Sequence, residues 1–248
     1  MIFLNLLLEL LLIFLLGSVS GWVLEVFFRR YISYANPERK WINPGFCTGP
    51  YLPIYGFGLC IMYLIAQLEK YTLIENPFWN KISLFLAMTI CMTVIEYIAG
   101  IICIKVGKVR LWDYTREWGN IQGIVCPKFS LIWAMLGALY YFLIHPHILD
   151  AVRWLSQNLA HSFLIGMFYG ILIIDVVHSF NLIAKLKQYA EENNVIVKYE
   201  ELKADIRSHY TKTTQKYNFF RPFHSDRGIS EHLKDIVDNF EIRLKNKK

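Results

Sequence analysis

Residues 82–104 read I-S-L-F-L-A-M-T-I-C-M-T-V-I-E-Y-I-A-G-I-I-C-I, a long apolar run in which Glu96 is the single charged residue. About 20 apolar residues in a helix cross the ~30 Å hydrocarbon core of a bilayer, so this run predicts a transmembrane helix. Four further weakly charged runs have comparable length, and we place them at 2–28, 50–68, 127–145 and 162–184. The sequence therefore predicts a protein that crosses a membrane several times.

The composition of the whole chain supports the same class. Of its 248 residues, 55% are hydrophobic and 19% are charged, whereas soluble domains carry about a quarter charged residues. We predict an all-α fold, a polytopic membrane helical bundle of about five transmembrane helices with a cytosolic helical C-terminal tail. The transmembrane domain is expected over 1–186 and the tail over 187–248, with tail helices near 199–210 and 229–244.

The Lys and Arg residues of the connecting loops predict the orientation. They are concentrated after the first and third predicted helices and in the tail, and such residues favour the cytoplasmic side. We therefore expect the chain in the cell membrane, with its N-terminus outside and its C-terminus in the cytosol. The net charge of +6 follows from this distribution and implies no nucleic-acid partner. The five scattered cysteines form no CxxC motif, so we predict no disulfide framework, metal or cofactor.

Two parts of the chain resemble each other. The run N-P-G-F-C-T-G-P (43–50) aligns with N-I-Q-G-I-V-C-P (120–127), and each run follows a predicted helix that carries an acidic residue. A tryptophan lies sixteen residues after each acid, and a proline is predicted to open the next helix. These residues are Glu25, Trp41 and Pro50 in the first copy and Glu96, Trp112 and Pro127 in the second. We interpret them as two parallel helix-pair repeats, with a fifth helix outside the duplication.

The segment W-I-N-P-G-F-C-T-G-P-Y-L-P-I-Y-G (41–56) is unusually rich in Gly and Pro for its place between apolar runs. A backbone interrupted at membrane depth leaves peptide groups unpaired, which costs several kcal/mol for each group in hydrocarbon. Such a segment persists only where it is buried against protein or lines a wet cavity. We predict a folded-in functional loop, although prolines also simply start helices at the first turn.

Ionisable residues inside predicted spans are functional candidates by default. Glu96 and Asp175 both lie in uncharged surroundings, and His178 follows Asp175 on the same helix face. Glu25 lies four residues before Arg29, with which it could form an ordinary interfacial ion pair. Three interpretations remain open for these residues. They could pair with arginines or loop amides and fix helix packing, line a path for a cation or polar solute, or act as acid/base groups or metal ligands on a lipid substrate. The last has least support, because no nucleophile elbow or HExxH motif is present.

The loop W-D-Y-T-R-E-W-G-N (112–120) combines aromatic and charged residues. Its rings are typical of an aromatic belt at the membrane–water interface. Alternatively, Asp113 and Arg116 could meet the 43–56 segment and form an inner vestibule with it.

The motifs quoted above, together with G-W-V-L-E (21–25) and I-E-Y (95–97), resemble the ABC-transporter type IV (CmpB) family of bacterial integral membrane proteins. The similarity covers residues 17 to about 180 and continues faintly at F-F-R-P-F-H (219–224). It implies a permease-like membrane subunit of an ABC-type transporter. The alternatives are a membrane-embedded enzyme acting on lipid headgroups and a membrane scaffold or regulator that does not transport.

The partners follow from this resemblance and from what the chain lacks. It has no G-x-x-x-x-G-K-[ST] motif, so we expect no ATPase or other catalytic activity of its own. We therefore expect a separate ATPase subunit as a partner. Five spans are few for a permease, which predicts a homodimer in the lipid bilayer. The solute or ion is expected to bind in an inward-facing cleft, for which the candidate residues are Glu25, Asn43, Gly45, Gly49, Pro50, Pro53, Tyr55, Glu96, Trp112, Asp113, Tyr114, Asn120, Asp175 and His178.

Overall fold

The structure is a computed structural model, and it describes residues 2–33, 36, 38–71, 74–158, 160, 162–193, 195–208, 229 and 231–235. The motif at 219–224 and most of the tail helix predicted at 229–244 lie outside these residues. Helices dominate the described part of the chain, and this confirms the all-α prediction. They are α1 (Ile2–Tyr31), α2 (Pro53–Gln67), α3 (Pro77–Lys105), α4 (Pro127–Leu139), α5 (His145–Gln157), α6 (Ser162–Glu192) and α7 (Tyr199–Ser208).

Four helical segments are long and apolar enough to cross a membrane. They are Leu6–Tyr31, Pro77–Lys105, Pro127–Leu155 and Ser162–Glu192. The third of them joins α4 and α5 through one π-helical turn, Tyr140–Ile144. The protein is thus a multi-pass membrane helical bundle.

The second predicted span, 50–68, contains a short helix, because prolines interrupt its first turns. Helix α2 has 15 residues, or about 22 Å at 1.5 Å per residue, against a hydrocarbon core of ~30 Å. It begins at Pro53, which occupies the first turn, so the prediction that Pro50 opens the helix was wrong. Residues 49–52 are instead non-helical: the Tyr51 N–H donates to the carbonyl of Gly49 and the Leu52 N–H to that of Ser18, each at 2.9 Å. By contrast, Pro127 does open α4, as predicted.

Helix α2 packs closely against α1 because small residues face each other across the contact. A Cβ on Gly21 would lie 2.2 Å from Cγ of Tyr55, and a Cβ on Gly56 would lie 2.2 Å from Oγ of Ser18. Small residues of this kind let two membrane helices approach until their backbones nearly touch. The close approach brings Tyr55 onto the face of α1 that carries Glu25.

The C-terminal residues form a second small core beside the end of α6. Strand β1 (Val109–Arg110) pairs in parallel with β2 (Val197–Lys198), so the loop after α3 and the tail share a two-stranded sheet. The apolar residues buried there include Val109, Leu186, Val197, Leu202 and Ile206. The tail is therefore packed onto the end of the helical bundle.

Substitution of Gly21 tests the α1–α2 contact. We expect Gly21→Ala to lower the free energy of unfolding by about 1–3 kcal/mol, because its Cβ would overlap the Tyr55 ring and force the helices apart. The measurement is thermal unfolding in detergent. Gly166→Ala in α6 is the matched control, since nothing lies within 4 Å of a Cβ there. Equal destabilisation by the two variants would contradict the close packing.

Candidate functional site

The Glu96 carboxylate is buried between helices α3 and α4. The residue is 5% exposed. Its Oε2 accepts a hydrogen bond from the Trp133 indole at 2.9 Å, and its Oε1 accepts one from the Tyr114 hydroxyl at 3.0 Å. Both donors are neutral, and in the described part of the chain no Lys, Arg or His forms an ion pair with Glu96. The site thus holds an acid in a low-dielectric region without a bound counter-charge.

The Glu25 carboxylate lies between α1 and α2 and has a cation beside it. Its Oε1 accepts from Nε of Arg29 at 3.0 Å, and its Oε2 accepts from the Tyr55 hydroxyl at 3.0 Å. Arg29 also forms an ion pair with Glu200 at 2.7 Å. The spacing of four residues predicted the first pair, whereas the second joins α1 to the tail. Two carboxylates therefore share one arginine.

Aromatic rings connect the two acids. Tyr55, which donates to Glu25, packs against Trp133, which donates to Glu96, with ring centroids 5.3 Å apart. Tyr114 stacks on Phe129 at 4.1 Å. Burial, followed by the carboxylates of Glu96 and Glu25, raises the pKa of Tyr114 well above its ordinary value. Because it stays protonated, the Tyr114 hydroxyl remains a donor to Glu96. We call Glu25, Tyr55, Glu96, Tyr114 and Trp133 the two-acid cluster.

Asp175 lies elsewhere, where it holds the non-helical segment before α2. Its two carboxylate oxygens accept from the backbone N–H of Thr48 at 3.0 Å and of Gly49 at 2.7 Å, and from the hydroxyl of Tyr51. Asp175 belongs to the spanning helix α6, so the peptide groups of a non-helical segment bond to a membrane-embedded acid. This is the condition under which interrupted backbone is tolerated at membrane depth. Its geometry matches the interpretation in which an acid pairs with loop amides.

Asn43 fixes the start of the same segment. It is 1% exposed. Its Oδ1 accepts from the Trp22 indole at 2.9 Å, and its Nδ2 donates to the carbonyls of Cys47 and Thr48 at 3.2 and 2.9 Å. Gly45 lies inside this turn, where a Cβ would come within 2.9 Å of Leu52. We call residues 43–52 the pinned segment.

Helix α7 of the tail is bonded directly to the pinned segment. Lys203 is fully buried, and its Nζ donates to the carbonyls of Asn43 at 3.2 Å and Gly45 at 2.9 Å. The Tyr199 hydroxyl donates to the carbonyl of Phe46 at 3.3 Å. Since Glu200 pairs with Arg29, one helix of the tail contacts both the pinned segment and the arginine that pairs with Glu25 of the two-acid cluster.

The remaining predicted residues of loop 112–120 form hydrogen bonds within the loop and contacts with the tail. The Trp112 indole donates to the carbonyl of Ile124 at 2.8 Å. Asp113 pairs with Lys198 of β2 at 3.2 Å. Although burial opposes the shift, hydrogen bonds from Thr115 and Lys198 hold the pKa of Asp113 below its ordinary value. Asn120 accepts from the Gly123 N–H at 2.9 Å, which closes the turn.

The structure thus divides the predicted residues into three groups. The first group contains Glu25, Tyr55, Glu96 and Tyr114, which come together. The second contains Asp175 with Asn43, Gly45 and Gly49 of the pinned segment, and the third contains Trp112, Asp113 and Asn120, which shape their own loop. A shallow cavity of about 490 Å³ lies beside Asp175 and is lined by Thr48, Gly49, Tyr51, Ile171, Ile174 and His178. Pro50 is exposed, and Pro53 starts α2.

Sequence reasoning missed three residues that the site uses, Trp133, Glu200 and Lys203. The repeat carried a signal for the first. When Asn43 is aligned with Asn120, Tyr55 corresponds to Ile132, the neighbour of Trp133. Glu200 and Lys203 gave no such signal, because a Glu and a Lys three residues apart on a charged tail helix resemble an ordinary solvent-exposed pair.

Comparison with known proteins gives one clear result. Residues 12–180 match the model of the family described as "Putative ABC-transporter type IV". The chain belongs to this family. The matched region contains both predicted repeats, the pinned segment and Asp175, and the family resemblance found in the motifs is confirmed. No curated protein and no solved structure matches the chain.

Substitution of the buried lysine tests the contact between the tail and the pinned segment. We expect Lys203→Met to destabilise the protein by about 3 kcal/mol, because it leaves the carbonyls of Asn43 and Gly45 without their donor and removes the ion pair with Glu200 at 3.6 Å. Thermal unfolding measures the loss, and amide hydrogen exchange should show faster opening of residues 43–49. Lys187→Met is the control, since the Lys187 side chain is 41% exposed and its ion pair with Glu191 is long, at 3.8 Å. If Lys203→Met changes stability no more than the control does, α7 does not secure the segment.

Proposed function

We propose that the protein is the permease-like membrane subunit of an ABC-type transporter and that the two-acid cluster is its site for a polar or cationic solute. The observation that carries the proposal is the position of Glu96, an acid that is 5% exposed and receives hydrogen bonds from neutral donors. Burial of an acid in this way is unfavourable in free energy unless the acid binds a proton, a cation or a polar partner at some stage of transport.

The place of the cluster within the repeats also supports transport. Glu25 comes from the first repeat and Glu96 from the second, while Tyr55 and Trp133 meet between them at 5.3 Å. Solute sites of transporters with internal repeats lie where the repeats meet, because movement of one repeat against the other then changes access to the site. The short helix α2 and the pinned segment that precedes it belong to the part that would move.

The proposal includes partners and orientation. The energy comes from a separate ATPase subunit, since the chain carries no phosphate-binding loop. Two copies of the chain pair in the cell membrane and provide the number of spans that a permease needs. The N-terminus lies outside, and the tail after α6 lies in the cytosol, where α7 and loop 105–126 face the ATPase.

Substitution of Glu96 tests this function. The protein is reconstituted in vesicles with candidate ATPase subunits, and ATP-dependent uptake from a mixture of small polar solutes is measured by mass spectrometry. We expect Glu96→Gln to abolish uptake while membrane insertion and thermal stability stay near the wild-type values, because glutamine keeps an acceptor for Trp133 and removes the charge.

Glu9→Gln provides the matched control for that experiment. Glu9 also lies in a spanning helix and accepts from a tyrosine hydroxyl, that of Tyr63, at 3.1 Å, but it is outside the two-acid cluster. Uptake by this variant should remain near the wild-type rate. Transport by Glu96→Gln at the wild-type rate would refute the proposed site, and turnover of labelled lipid without ATP would favour the enzyme interpretation.

A further inference from the structure

Two neighbouring arginines at the end of α1 have opposite surroundings. Arg29 is enclosed by two carboxylates, those of Glu25 and Glu200. Arg30 pairs with no carboxylate in the described part of the chain, and its Nε is buried there without a hydrogen-bond acceptor. A buried guanidinium donor that is left unpaired is unfavourable. A bound molecule that offers an acceptor to this guanidinium would relieve the unfavourable burial.

Exposed aromatic rings surround Arg30. Its guanidinium carbon lies 5.3 Å from the centroid of the Trp41 ring, and Trp41 packs edge-on against Phe27 at 5.7 Å and Tyr31 at 6.2 Å. These three rings are 49–62% exposed, which is high for residues that contact one another. They sit at the end of the spanning segment Leu6–Tyr31, where a membrane helix reaches the headgroup region.

We propose that Arg30, Phe27, Tyr31 and Trp41 bind the phosphate headgroup of an anionic phospholipid. Phosphate oxygens accept paired hydrogen bonds from a guanidinium. The Trp41 ring holds that guanidinium in place by a cation–π contact. The neighbouring rings rest against the glycerol and upper acyl region, as tyrosine and tryptophan do at membrane interfaces.

The charges near the proposed site favour an anion. Lys40 is exposed and pairs with Glu38 at 2.7 Å, so the charges of these two side chains cancel. Arg39 donates to the carbonyl of Ser33 at 3.2 Å and keeps its positive charge. Two arginines, Arg30 and Arg39, therefore remain uncompensated by carboxylates among the described residues of this turn, and the patch is positive.

The experiment uses the full chain in nanodiscs of phosphatidylcholine with increasing fractions of phosphatidylglycerol. We expect phosphatidylglycerol to raise the Tm of the wild-type protein by about 3 °C at tenfold excess over Kd. Arg30→Gln should lose most of that rise. Arg153→Gln should keep it, because Arg153 lies in α5 beside Asp150, at 3.3 Å, away from the proposed site.

Three outcomes would overturn the proposal. Arg30→Gln could respond to phosphatidylglycerol as the wild type does, or Arg153→Gln could lose the same amount, which would show a general charge effect. Soluble glycerol phosphate, added at the same headgroup concentration to discs of phosphatidylcholine alone, could reproduce the Tm rise. That result would assign the site to a free phosphate ester instead of a lipid.

A second measurement needs only folded protein and remains valid if Arg30→Gln does not fold. Brominated lipids quench the fluorescence of tryptophans that they touch. The part of the emission that disappears in Trp41→Phe should be quenched more strongly by brominated phosphatidylglycerol than by brominated phosphatidylcholine. Equal quenching by the two lipids would show that the rings contact the membrane without selecting an anionic headgroup, and this would refute the proposal.

Discussion

Burial of the Glu96 carboxylate is the constraint on which the organisation of the bundle depends. A carboxyl group in hydrocarbon must be given hydrogen bonds, and here they come from loop residue Tyr114 and helix residue Trp133. These two bonds join loop 112–126 and α4 to α3. The Tyr55–Trp133 contact then extends the cluster to α2 and α1, where Glu25 is balanced by Arg29. One acid therefore has a cation beside it, and among the described residues the other has only neutral donors.

A second constraint is the need to pair the peptide groups of the pinned segment. Asn43 holds its beginning, Asp175 of α6 binds the amides of Thr48 and Gly49, and Lys203 of α7 binds its carbonyls. Three elements distant in sequence thus replace the hydrogen bonds that a helix would supply. Because Glu200 on the same tail helix reaches Arg29, the tail, the segment and the two-acid cluster form one connected network. A change in the position of α7 would therefore alter the contacts of Glu25 through Glu200 and Arg29.

Much of this organisation could be read from the sequence, because hydrophobic run length and loop composition are strong signals in membrane proteins. The runs of 82–104 and 162–184 predicted spanning helices, Pro127 predicted a helix start, and the four-residue spacing of Glu25 and Arg29 predicted their pair. Helix α2 begins only at Pro53, because residues 50–52 are held outside the helix, with the Leu52 N–H bonded to the Ser18 carbonyl. The placement of Asp175, Lys203 and Trp133 depends on long-range packing, which local spacing does not encode. For the same reason the single cleft expected from the sequence divides here into separate groups of contacts.

Tyr55 of α2 and Trp133 of α4 meet in the two-acid cluster, and cross-linking in native membranes tests this contact. In a chain with its five cysteines replaced, Tyr55→Cys and Trp133→Cys are combined and treated with a bifunctional thiol reagent that has a short spacer. We expect efficient cross-linking within one chain, well above that of a control pair that joins Tyr55→Cys to Gly166→Cys on α6. Cross-linking of the test pair at the level of the control pair would show that α2 and α4 do not meet there and that the two-acid cluster does not form.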